Sequence, residues 1–76
     1  MKIEKITIDK FEDEDVDGVV KKKVGLKVLN DEGGVFITDT YLDIVDGKTV
    51  DDYTKDAYDA KKSNIDKWME SFVNLG

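Results

Sequence analysis

From Val19 to Leu29 the chain alternates: Val20, Val24, Leu26 and Val28 fall on one side, and Lys21, Lys23 and Lys27 on the other. A period of two is what a half-buried strand requires, so this segment predicts a strand with one wet face. The preceding stretch, 2–11, carries Ile6 and Ile8 at the same period among charged neighbours and predicts another strand. Between 30 and 34 the residues NDEGG supply Asn and Asp for local turns and Gly for positive φ, so they predict a hairpin loop.

The segment from about Val35 to Val45 is apolar on both sides: Phe36, Leu42, Ile44 and two Thr on one, Val35, Ile37, Tyr41, Val45 and two Asp on the other. Such a strand either changes face at a bulge near Asp39 or has a second side to cover. Asp46 and Gly47 then make a turn, and Thr49 followed by Asp52 has the spacing of a helix capping box. Beyond it Val50, Tyr53, Ala57, Ala60, Asn64, Trp68, Phe72 and Leu75 recur at steps of three and four, the period of one helix face. An unbroken helix over this stretch would be roughly 40 Å long, against about 30 Å for a compact globule of this size. Ser63 and Asp66 offer a second capping box, so the expectation is a helix bent or split near residues 62–64. The fold class is α+β: a three-stranded antiparallel meander with the second strand central, then a C-terminal helix, in one domain spanning residues 1–76.

Composition narrows the chemistry. With no Cys and no His, the 76 residues contain no thiolate, no disulfide and no imidazole, so triad catalysis within the chain is excluded. Paired carboxylates of the glycosidase or nuclease kind need a concave pocket that so short a chain hardly has residues to build. The expectation is a non-enzymatic protein without a cofactor. All twelve cations are Lys against eighteen acidic residues, a net charge of −6. An Arg-free acidic chain is a poor reader of nucleic acid, and its natural partner is a protein with a basic or complementary surface. Three strands followed by a helix also occur in DNA-binding domains of the phage integrase arm-binding type. Those are basic and Arg-bearing, so that analogy stops at topology. No stretch of about 20 apolar residues is present, and the start MKIEKITIDK lacks a signal-peptide core, which points to a cytoplasmic protein.

Residues 12–18, EDEDVDG, match the opening of a calcium loop, with Asp13, Asp15 and Asp17 at alternate positions before Gly18. The closing position is Val24 where a bidentate Glu belongs, and Lys21 occupies a ligand position. The window therefore reads as a hairpin tip whose carboxylates oppose Lys21, Lys22 and Lys23, with a calcium-binding module as the third-ranked function. Asp52, Asp56 and Asp59 align on one helix face and are expected to join Asp39, Asp43, Asp46 and Asp51 in an acidic strip that could imitate nucleic-acid phosphates. Ile65, Met69 and Val73 form a second apolar stripe beside the core-facing one. Asp39, Asp43, Asp52, Asp56, Asp59, Ile65, Met69 and Val73 are the expected protein-binding positions. The first-ranked function is a protein-interaction module, a small phage or mobile-element accessory protein that inhibits or modulates a host protein. The second is a structural or assembly component, of a virion or an oligomer, that self-associates through the free face of strand three and the Ile65, Met69 and Val73 stripe.

Overall fold

The computed structural model describes the backbone of residues 2–75 and the side chains of residues 2–71. Strand β1 (Ile3–Val16), strand β2 (Val19–Asn30) and strand β3 (Val35–Leu42) form one antiparallel sheet in the order β1-β2-β3, followed by helix α1 (Val50–Leu75). The βββα order and the central place of the second strand are those expected from the pattern.

The first hairpin turns at Asp17 and Gly18, with φ of 54° and 85°. Positive φ at both central residues is the mark of the primed turns whose twist matches paired strands, and Asp-Gly is among their preferred dipeptides. The Asp15 carboxylate accepts the Gly18 N–H at 2.8 Å, which steadies the turn. At the other end, the buried Asn30 side chain accepts the N–H groups of Glu32 and Gly34 at 2.9 and 2.7 Å, folding the second loop around one amide.

On the helix side of the sheet, Val24, Leu26 and Val28 are fully buried, opposite Phe11, Ile8 and Ile6 of β1 and Thr40, Thr38 and Phe36 of β3. Tyr53, Ala57 and Ile65 of α1 close the core from above, and Trp68 stacks on Phe36 with ring centroids 5.3 Å apart. The capping box forms as the spacing predicts: the Asp52 N–H donates to Thr49 Oγ1 at 3.1 Å and the Thr49 N–H donates to Asp52 Oδ2 at 3.3 Å. Lys22 lies over the Phe11 ring and Lys48 over the Tyr53 ring, each 4.6 Å from the centroid, so two ammonium stems seal the start of the helix.

The helix runs through residues 62–64 without interruption, and the Ser63 and Asp66 pair does not open a second one. No Gly or Pro occurs between 50 and 75, so nothing in the backbone forces a break. The length is accommodated by elongation of the whole molecule, which measures 44 × 24 × 16 Å with a radius of gyration of 13.7 Å. The long β1–β2 hairpin gives the helix a matching axis to lie along, so the compact globule expected from chain length is not the shape adopted.

Candidate functional site

Strand β3 pairs with β2 in unbroken register from Leu29 opposite Val35 to Lys22 opposite Leu42. No bulge re-aims its side chains near Asp39, so the strand keeps one face against the helix and the other open. Val35, Ile37 and Tyr41 on that open face are 49, 55 and 45% exposed, beside half-buried Leu29. The bulges lie in β1, at the register shifts between Ile3 and Lys5 and between Ile8 and Lys10.

The open face mixes both signs of charge. By register it presents Lys5, Lys10, Lys21, Lys23 and Lys27 beside Glu12, Glu14 and Asp39, and Asp43 joins them through its ion pair with Lys21. Six of these groups form ion pairs: Lys21 with Asp43, Lys23 with Glu14 at 3.8 Å, and Lys10 with Asp39 at 3.8 Å. Around Tyr41 they interact closely. A hydrogen bond to the Glu14 carboxylate, with burial, holds the Tyr41 phenol above its ordinary value, and nearby Lys23 opposes the rise. Burial alone would lower the Lys23 ammonium, but Glu14, Tyr41 and Asp39 together raise it. The hydrogen bond and charge of Lys21 hold Asp43 below the usual carboxylate range.

Gly25 sits between Lys10 and Asp39 in the middle of this face. A Cβ there would come within 2.8 Å of Asp39 Oδ1 and 3.1 Å of both the Lys10 Cβ and its backbone N. The bare glycine lets the Asp39 carboxylate lie inward across the sheet toward Lys10. Sequence reasoning passed over Gly25, although a Gly inside an alternating strand is itself a signal of close approach.

The expected site residues separate. Asp39 and Asp43 belong to the open face, whereas Asp52, Asp56 and Asp59 lie on the outer face of α1, on the other side of the sheet. They do not merge into one strip. Asp52 is engaged in the cap, and Asp56 pairs with Lys48. Ile65 is fully buried in the core and offers nothing to a partner, Met69 is half-buried, and the side chain of Val73 lies outside the described residues.

Asp13, Asp15 and Asp17 are also drawn apart. Asp13 and Asp15 are strand residues opposite Lys22 and Val20, and Asp13 pairs with the Lys22 ammonium. Among the described residues no three carboxylates are grouped to hold a metal ion. No helix among the described residues is long and apolar enough to cross a membrane. No protein family, curated protein or solved structure shows a match to this chain.

Proposed function

We propose that this chain is a non-enzymatic protein-interaction module that engages a partner protein through the open face of its sheet. The observation that carries the reading is the uncovered side of β3, where Val35, Ile37 and Tyr41 stand about half exposed although the helix already supplies the core with its cover. Apolar and aromatic side chains at the centre with charged groups around them is the composition of a recognition patch. Three ion pairs, Lys10 with Asp39, Lys21 with Asp43 and Lys23 with Glu14, already offset charge around the patch, so an approaching protein does not strand those six groups as isolated charges. The partner is a protein of complementary surface whose activity the small acidic module modulates.

The test compares two baits, the native chain and a variant carrying Ile37→Ser and Tyr41→Ser, in affinity capture from lysate of the source cells with mass spectrometry. Both substitutions lie on the open face and leave the Val24, Leu26 and Val28 core intact. A protein held by the native chain and lost by the variant is expected. Identical retention by both baits sinks the proposal.

A further inference from the structure

The two free edges of the sheet are built differently. Strand β1 is interrupted by two register shifts and carries exposed Lys5, Asp9 and Lys10. Bulges and edge charges of this kind keep another strand from adding on. Strand β3 has none of them: it is regular over all eight residues, contains no Lys or Pro, and its single charged residue, Asp39, turns inward toward Lys10.

A regular edge without such protection presents a row of backbone N–H and C=O groups to any extended chain that reaches it. Here the flanks are apolar as well. On one side stand Val35, Ile37 and Tyr41. On the other is the helix: the Phe11–Tyr53 ring contact turns the Tyr53 flank toward β1. Tyr58 lies about 140° further round and Met69 within about 20° of Tyr58, so both belong to the β3 flank. Both are half-buried.

Charge decides what would fit. Asp31 and Glu32 stand exposed before β3, and Asp46 and Asp51 stand exposed after it, beyond Asp43, whose charge Lys21 already pairs. A second copy of β3, added in either direction, would set carboxylates beside carboxylates at both ends, which is destabilising. An extended segment with Lys or Arg at its ends meets opposite charge instead.

Resting on the interaction reading above, we infer that β3 is a β-augmentation edge that takes up an extended segment of the partner, apolar at its centre and cationic at both ends. Main-chain hydrogen bonds supply the attachment, and alternate side chains read the Val35–Tyr41 flank and the helix flank.

The experiment uses the isotope-labelled full chain and a synthetic peptide with an alternating Val-Thr centre flanked by lysines. Two comparators are used: the same peptide with Glu in place of Lys, and the Lys peptide N-methylated at alternate backbone positions. The Lys peptide is expected to shift the amide resonances of 35–42, to slow hydrogen exchange at alternate residues there, and to weaken as salt is raised. Both comparators are expected to bind about tenfold more weakly or worse, since several hydrogen bonds or all the end charges are lost.

No binding at millimolar peptide, or shifts that map to β1, overturns the inference. Equal binding of the N-methylated peptide also overturns it, and does so while leaving side-chain recognition by the open face standing. Slowed exchange in β3 that grows with protein concentration alone names a second copy as occupant and overturns the assignment to a cationic segment.

Discussion

Replacing Gly25 with Ala separates local preference from tertiary packing. In an isolated strand the change is favourable by about 0.5–1 kcal/mol, because Gly loses more backbone freedom on folding. In this sheet the added Cβ meets Asp39 Oδ1 at 2.8 Å and the Lys10 backbone N at 3.1 Å. The carboxylate can swing out, giving up an exposed ion pair of no more than about 1 kcal/mol. The Lys10 backbone cannot swing, because β1 is held to β2 on both sides of that point. Overpacking at a buried site costs about 1–3 kcal/mol, so the net expectation for Gly25→Ala is a loss of about 1–2 kcal/mol. A domain of this size has roughly 4–11 kcal/mol in total at 0.05–0.15 kcal/mol per residue. Thermal unfolding followed by far-UV circular dichroism should show a fall in Tm of about 5–15 °C. In an Asp39→Ala background the carboxylate contact is gone and the cost should shrink, leaving the part due to Lys10, which a double-mutant cycle reads directly. A Tm that rises with Gly25→Ala, or a cost that is the same with and without Asp39, would refute the reasoning.

Two further outcomes follow from the capping box and the Tyr41 cluster. Thr49→Ala should lower stability by about 0.5–2 kcal/mol in denaturant unfolding while Thr49→Ser keeps most of it, because the hydroxyl satisfies the Asp52 N–H; equal stability of both variants would count against the cap. Tyr41 should ionise above the ordinary tyrosine value of 10.0, and Glu14→Gln should bring it down, as followed by phenolate absorbance with Tyr41→Phe as the reference; an unmoved titration would dismiss the Glu14 contact. The same groups set the pH limits of stability. Tyr41, Lys23 and Lys48 are raised, so what they contribute is present below 10.0 to 10.5 and fades as pH climbs through their folded values. Asp43 is lowered, so its contribution is present above 3.8 and fades as pH falls through its folded value. Tyr41 and Asp43 are exposed whereas Lys23 and Lys48 are half-buried, so added salt should flatten the acid limb of the Tm profile more than the alkaline one.

The sequence by itself determined the elements whose information is local. The alternation of Val24, Leu26 and Val28 with Lys21, Lys23 and Lys27 specifies a strand and its buried side, because one register slip would bring every Lys inward. Thr49 with Asp52 specifies a helix start, since it depends on atoms within four residues. Residues 12–18 read in sequence as one hairpin tip, but 12–16 continue β1 in pairing with β2 and only Asp17 and Gly18 form the turn. What the pattern left open was long-range. Strand three was apolar on both sides, and only its pairing with β2 shows that no bulge intervenes and that Val35, Ile37 and Tyr41 remain uncovered. Ser63 and Asp66 satisfied a capping rule, yet an uninterrupted hydrogen-bond ladder lying along an elongated sheet overrode it. The acidic strip failed for a related reason: helical spacing places Asp52, Asp56 and Asp59 together, but whether Asp39 and Asp43 join them depends on which side of the sheet the helix covers. The contrast between a bulged, charged β1 edge and a regular β3 edge is likewise a property of strand order. Residue periodicity fixes which way a side chain points, and only the assembled sheet fixes what lies there to meet it.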